Sequence, residues 1–389
     1  MGEPQAGVSL RKERTCIRCV MDSSDASIEF DEWGRCNHCC RAELLLRSLE
    51  QVKPGSLERL ADHLKSKGRR GGHSAIVGLS GGVDSSFLVA SLVKLGVRPL
   101  VLHVDAGWNN EVAVTNIRKL VDNLGLDFET VVINWKQMRN LQRAFLQAGI
   151  KNQDIPQDHA LFATLYKTAS KYRIRNVVTG ANMATESILP SSWGSDAMDG
   201  RFLLSVARSQ GLTSLAQFPV SRLPHHYLIR MALGRMVIYK PLDMITYQKQ
   251  EAIQQLVDEF DWRDYGGKHR ESLFTSWFQH VYLPHRFGID KRKAHLSSLI
   301  MSGQISREQA LSVLSKPELT ELEQNILSQQ IARKLGYSSD EFAHLLELPP
   351  IDESVFANDR WVYTSRASRF GGLLISGKNQ SFRKITFKR

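Results

Sequence analysis

Four of the five cysteines of this chain form two pairs, Cys16-x2-Cys19 and Cys36-x2-Cys39, the fifth is Cys40, and none occurs in residues 41–389. Two thiolate pairs at this spacing are what a zinc ribbon offers to a tetrahedral Zn²⁺. Four sulfurs leave no open coordination position, so the metal is expected to be structural, replacing a hydrophobic core that about thirty residues cannot build. Cys40 is a second candidate for the fourth ligand, although the x2 spacing favours Cys39; His38 reads as a neighbour. A chance cluster of buried thiols and an iron–sulfur site are the alternatives.

The second chemical string is Ser80-Gly81-Gly82-Val83-Asp84-Ser85-Ser86. It follows an apolar run, residues 75–79, and opens a helical pattern over residues 83–95. An open parallel sheet holds phosphate at that position, against a helix amino terminus. The glycines let backbone N–H groups converge, and Ser80, Ser85 and Ser86 add hydroxyl donors. No Gly-Lys-Ser/Thr ends the string, so a Walker grip on the β and γ phosphates does not apply. A carboxylate inside an anion site is explained when Mg²⁺ bridges Asp84 to the phosphates. The plain alternative is a first-turn helix carboxylate.

The elements that must position these groups alternate. Strands over 99–104, 128–133 and 176–179 and helices over 111–124 and 158–172 make a βαβ series, which implies a parallel sheet with crossover helices. Residues 41–67 read as one or two amphipathic helices broken near Pro54-Gly55, and 68–72 as a linker. Residues 191–211, polar and holding Trp193, Gly194 and Gly200, read as an insertion or lid. Beyond residue 239 helical periods take over, at 247–260, 294–301, 307–314 and 318–335. The expected class is α/β, a Rossmann-like parallel sheet with an amino-terminal zinc ribbon and a helical carboxy-terminal region. The expected divisions are 1–72, ribbon and helical linker; 73–245, nucleotide domain; and 246–389, a mainly helical substrate or partner region.

With 389 residues, 42% of them hydrophobic, the chain exceeds a single small module and lies in the globular range. It has no window of about 18 apolar residues and no signal-peptide core at its start, which predicts a soluble cytoplasmic protein. A formal charge of +11, from 51 Lys and Arg against 40 Asp and Glu, favours an anionic ligand: nucleotide, nucleic acid, sugar nucleotide or membrane surface.

The string at residues 80–86 resembles the pyrophosphatase loop, S-G-G-x-D-S-[ST], of the N-type ATP pyrophosphatases (PP-loop proteins). These cleave ATP between the α and β phosphates and transfer AMP to a carbonyl or carboxyl oxygen. The resemblance implies ATP binding by Ser80, Gly81, Gly82, Val83, Asp84, Ser85 and Ser86. It also puts His103, Val104 and Asp105 beside the adenine and Gly180, in Thr179-Gly180-Ala181-Asn182, near the nucleotide. For His103 a sheet-end structural role stands equally open. The transfer-RNA thiolases of this superfamily use cysteines or a cluster within the nucleotide domain, where this chain has no cysteine. Nitrogen is therefore favoured over sulfur as the nucleophile, and without a glutaminase cysteine it must arrive as ammonia from outside.

Cys16-Ile17-Arg18-Cys19-Val20-Met21-Asp22, Phe30-Asp31-Glu32-Trp33-Gly34 and Cys36-Asn37-His38-Cys39 resemble the bacterial N-acetyl sugar amidotransferases of O-antigen and nonulosonic acid biosynthesis. So do Gly267-Lys268-His269-Arg270-Glu271-Ser272-Leu273-Phe274-Thr275, the run from Phe287 to Ser297 and, more weakly, the run from Asp154 to His159. The likeness covers about residues 14–320. It implies a UDP-linked diacetamido uronic acid or related sugar in lipopolysaccharide biosynthesis, one acetamido group of which becomes acetamidino through an O-adenylyl imidate. It also implies partners, a HisH-like glutaminase and a HisF-like barrel protein supplying ammonia, as in the two subunits of imidazole glycerol phosphate synthase. Asp84, with Lys268 and Arg270, is then expected to be catalytic, and Lys291, Arg292 and Lys293 to bind the substrate. By residue type alone, these cations lie in loops that suit a diphosphate and a uronate carboxylate, or else a nucleic-acid patch. The rivals are a tRNA-modifying adenylyltransferase of the PP-loop superfamily and a non-enzymatic AMP sensor.

Overall fold

Short Val-, Ile- and Leu-rich runs cannot satisfy their own backbone groups, so they pair, and parallel pairing needs a crossover between each. The computed structural model, which describes residues 14–67, 72–226, 236–265, 270–349 and 351–364, follows that logic. Its first part runs α1 (Asn37–Glu50), α2 (Ser56–Lys67), β1 (Ile76–Gly78), α3 (Val83–Lys94), β2 (Leu100–Asp105), α4 (Glu111–Leu124) and β3 (Phe128–Val132). There follow α5 (Trp135–Gln147), α6 (Ile155–Lys171), β4 (Asn176–Val178), α7 (Met183–Glu186), α8 (Gly200–Ser209), β5 (Val237–Tyr239) and α9 (Lys249–Phe260). The rest is helical: α10 (Leu273–Trp277), α11 (Leu283–Phe287), α12 (Arg292–Met301), α13 (Arg307–Leu314), α14 (Glu321–Leu335) and α15 (Ser339–Glu347).

All five strands are parallel, in the order β3-β2-β1-β4-β5. Ile76 of β1 pairs with Leu100 on one side and Val177 on the other, so the strand order reverses between β1 and β4. A crevice opens at the carboxyl ends of strands that diverge in this way. One face of the sheet is covered by α5, α6 and α8 through Met138, Phe145, Leu165 and Phe202. The other is covered by α2, α3 and α9 through Leu60, Leu88, Leu92 and Leu256.

Helix α5 is an addition to what periodicity suggests. Its buried Met138, Leu141, Gln142 and Phe145 recur at three- and four-residue spacing, but seven polar residues in thirteen conceal the stripe. Residues 191–211 hold an ordered helix, α8, rather than a loose lid. Asp199 caps it by accepting from the Arg201 and Phe202 amides, and Phe202, Leu203 and Val206 are buried. Two outlying segments pin this insertion. Ser192 donates to Asp25 of the ribbon. Beyond α15, Glu353 accepts from the Ser195 hydroxyl at 2.6 Å, the Asp359 amide donates to Asp199 at 2.7 Å, and Phe356 packs edge-on against Phe202.

The ribbon is docked on α12 and α13. Arg307 donates to the carbonyls of Cys19 and Cys16 at 3.0 and 3.1 Å, the Val20 amide donates to Ser297 at 3.2 Å, and Lys293 pairs with Asp22. Among the described residues no helix is long and apolar enough to cross a membrane.

Candidate functional site

Cys16, Cys19, Cys36 and Cys39 are fully buried, and their sulfurs all lie within 4.8 Å of one another. Zinc–sulfur bonds of about 2.3 Å in a tetrahedron separate the sulfurs by about 3.8 Å. Cys16 and Cys39 are 3.8 Å apart and Cys19 and Cys36 3.5 Å, so the donor set fits a single zinc ion rather than a multi-iron cluster. The Arg18, Cys19 and Cys36 amides all point at the Cys16 sulfur, at 3.4, 3.5 and 3.2 Å, as donors that stabilise a thiolate. Cys40 is outside the group and half-buried. His38 is a neighbour, its Nε2 2.5 Å from the buried Asp25 carboxylate. Burial alone would push Asp25 up; hydrogen bonds from His38, Ser192 and Ser27 bring it down to about 2.

The loop after β1 turns at Gly81, whose φ of +85° is the left-handed conformation that glycine adopts without strain. A Cβ there would also stand 2.8 Å from the Ala113 carbonyl oxygen. At the end of β4, a Cβ on Gly180 would lie 2.9 Å from the Asp84 backbone. Two glycines thus let β4 and α4 close on the amino terminus of α3, leaving a backbone cradle of the kind that accepts phosphate. Ser80 and Ser85 stay beside it, their hydroxyls 3.2 Å apart, with the Gly82 amide donating to Ser80. Ser86 instead turns into the core, fully buried. Val83 is the first residue of α3, and Asp84 accepts a hydrogen bond from the hydroxyl of Tyr247.

At the end of β2 the ring of His103 is held at both nitrogens, Nδ1 2.9 Å from the Leu79 carbonyl and Nε2 3.0 Å from the Asn109 amide. A carbonyl can only accept, so Nδ1 carries the proton and Nε2 accepts, and both nitrogens are engaged within the protein. Val104 is buried, and Asp105 accepts from the Gly107 amide at 2.7 Å. The segment that follows is clamped to the carboxy-terminal region. The Asn110 amide donates to Glu271, the Leu273 amide donates to Trp108, and Lys334 donates to the Gly107 carbonyl over the rings of Trp108 and Trp135.

Several ionisable groups that spacing did not single out gather at this edge. Asp158, on α6, is pushed up to about 7, first by burial and then by Asp154, with Glu271 and Glu186 adding to the effect and Lys291 opposing it. Lys240, just after β5, is pushed down by burial, with Asp243 and Glu186 opposing. Tyr265 brings its hydroxyl to the Val83 amide and is pushed up by burial, then by Glu271 and Asp84. These side chains come from seven separate segments; Asp84, Lys291 and the runs from Asp154 to His159 and from Gly267 to Thr275 carried a sequence signal, whereas Glu186, Lys240, Asp243 and Tyr265 carried none.

The expected substrate cations diverge. Arg292 forks onto Asp290 at 2.7 and 3.0 Å, and Lys293 holds Asp22 of the ribbon. Lys291 lies over the ring of Phe278, within electrostatic range of Asp158. Arg270 contacts the Glu318 carboxylate at 3.1 Å. Lys268 lies outside the described residues.

Residues 56–224 match the family model of NAD synthase, and residues 271–368 match that of the LPS biosynthesis protein WbpG-like, C-terminal domain. No curated protein matches the chain. Among solved structures the chain is similar to an NMN synthetase from Francisella tularensis, at 12% identity over 77% of this chain and 98% of that one, with a TM-score of 0.34. It is also similar to an NH3-dependent NAD synthetase from Campylobacter jejuni, at 16% over 76% and 97%, TM-score 0.29. A third is the U34-tRNA thiolase NcsA from Methanococcus maripaludis with its [4Fe-4S] cluster, at 11% over 79% and 92%, TM-score 0.31. The two family models define the class: an ATP-utilising C–N ligase with an NAD synthase-type, N-type ATP pyrophosphatase domain. More narrowly, its carboxy-terminal region is WbpG-like and belongs with lipopolysaccharide biosynthesis.

Proposed function

We propose that the chain is an ATP-dependent N-acetyl sugar amidotransferase acting on a UDP-linked diacetamido uronic acid or a related sugar. The observation that carries this reading is the clamp between Asn109–Asn110 and the residues at 271–273, with the Glu271 carboxylate 3.7 Å from where a Gly82 Cβ would lie, so that the start of the WbpG-like region lies against the loop at residues 80–86. An activating loop and a substrate-selecting region placed this way suit a two-step reaction. The amide oxygen of an acetamido group attacks the α phosphorus of ATP, the bond to the β phosphate breaks, and pyrophosphate leaves. Ammonia then adds to the carbon of the O-adenylyl imidate, AMP departs with the oxygen, and an amidine remains.

Loop N–H groups and the serine hydroxyls of Ser80 and Ser85 are suited to take the charge of the departing pyrophosphate. Asp84 would hold Mg²⁺, which when bound neutralises phosphate charge. His103, engaged at both ring nitrogens, is assigned to shaping the adenine end, with Val104, Asp105 and Gly180 as walls. Lys268, Arg270 and Lys291 remain the candidate cations for leaving group and substrate. Arg292 and Lys293 are reassigned to holding α12 and the ribbon in place. Zn²⁺ is structural in this reading, and the partners are a glutaminase and a barrel protein that deliver ammonia. The divisions at residues 72 and 245 belong to the same proposal, with α9 packed on the nucleotide side.

The test is mass spectrometry of products from Mg-ATP, ammonium chloride and a panel of UDP-diacetamido sugars. A sugar product one mass unit lighter, with stoichiometric AMP and pyrophosphate, is expected. Adenylylation of tRNA with no sugar product would replace this reading by the tRNA-modifying one.

A further inference from the structure

A cleft of about 260 Å³ lies between the start of the WbpG-like region and α14. Its lining includes four aliphatic side chains, Leu273, Leu319, Ile326 and Leu327, with Arg270 and Asn110 among its polar members. Tyr265 lines the cleft as well, while its hydroxyl reaches the Val83 amide and stands 3.4 Å from where a Gly82 Cβ would be. The cleft and the loop at residues 80–86 therefore share one side chain as their partition. A group bound in the cleft is one tyrosine ring away from the backbone cradle.

We propose that this cleft, and not Arg292 or Lys293, receives the acetamido-bearing uronate ring of the acceptor; the assignment rests on the amidotransferase reading above. Size is the first argument, because pockets for drug-sized ligands run from roughly 300 to 1,000 Å³, and this one suits a single substituted sugar ring. Chemistry is the second. A guanidinium presents a fork of donors matched to a carboxylate, and Arg270 contacts Glu318 only through Nη2, while its buried Nε has no hydrogen-bond partner among the described residues. The one carboxylate in the lining, Glu323, is committed to capping α14, where it accepts from the Thr320 amide and hydroxyl at 2.7 and 2.8 Å. The leucines of the lining offer an acetamido methyl the apolar contact that water denies it. The lining holds one aromatic ring, Tyr265, so a base stacked on it would have no second aromatic plane to close over it.

The experiment fills the cleft. Leu327→Trp and Ile326→Trp are compared with the wild type for binding of a UDP-linked 2,3-diacetamido uronic acid by calorimetry, and for KM in AMP release with ammonium chloride. Both variants are expected to weaken sugar binding and raise the sugar KM at least tenfold, with the ATP KM within twofold of wild type. Arg270→Lys is expected to erase the preference for the uronate over the matching neutral sugar. Folded tryptophan variants that bind the sugar as the wild type does would overturn the cleft and leave the amidotransferase reading standing. Ile326, 47% exposed at the rim, decides the matter if Leu327→Trp does not fold. A wild type that neither binds the sugar nor releases AMP in its presence would sink the amidotransferase reading, and the cleft assignment with it.

Discussion

The Tyr247 hydroxyl donates to the Asp84 carboxylate across 163 residues of sequence, tying the chain just before α9 to the first turn of α3. Burial, followed by the negative charge of Asp84, pushes the tyrosine pKa up, so it stays a protonated donor. Asp84→Asn is expected to keep the fold and the circular dichroism spectrum while lowering Mg-dependent AMP and pyrophosphate formation by more than about 100-fold. Tyr247→Phe removes one hydrogen bond to a charged group and should cost about 10- to 100-fold. Release of ADP and phosphate by the wild type would place cleavage at the γ position and refute the assignment.

Elemental analysis should find one zinc per chain. Cys36→Ser is expected to give an aggregating protein, because the ribbon contributes buried surface to α12 and α13 and cannot fold without its metal. Cys40→Ser should retain the zinc. A soluble, zinc-free and active Cys36→Ser protein would remove the structural role.

No cysteine follows residue 40, four of the five are buried together, and burial pushes the thiol of the fifth, Cys40, up and so away from the thiolate form that would open glutamine. Amidine should form from ammonium chloride but not from glutamine until a glutaminase and its barrel protein are added. Product from glutamine with the purified chain alone would mean that a ribbon cysteine is the nucleophile.

Asp158 binds its proton more tightly folded, at about 7, than unfolded, at about 3.9. Between those values the native state holds the extra proton, so this group lowers stability as pH rises from about 4 to 7 and is level above that. Asp158→Asn should therefore become progressively more stable relative to wild type across that window in denaturant melts. A difference that does not change with pH would count against the buried-carboxyl cluster.

Phe356 is 6% exposed and packs on Phe202 of α8. Phe356→Ala is expected to cost about 3 kcal/mol in urea unfolding and to open residues 191–211 to limited proteolysis. An unchanged cleavage pattern would show that the insertion holds its place without the tail.

The four-cysteine cluster, the loop and four of the five strands were legible in the sequence because each depends on residues close together in the chain. Cysteine pairs at x2 spacing, a Gly-Gly turn before a helix, and apolar runs between breaks are local patterns, and the family likeness extended them. The polar helix α5 and the capped helix α8 were not legible, because only the sheet and the returning tail select the face each buries. The cations at 291–293 show the same limit: identical charge placed Arg292 against Asp290 and Lys293 against the ribbon, while Lys291 alone faces the carboxylates around Asp158. Residue types determined which chemistry the chain can perform. Which side chains meet at the carboxyl edge of the sheet, Tyr247 on Asp84 and Tyr265 on Val83 among them, was decided by tertiary structure, since those contacts span more than 150 residues and no local pattern records them.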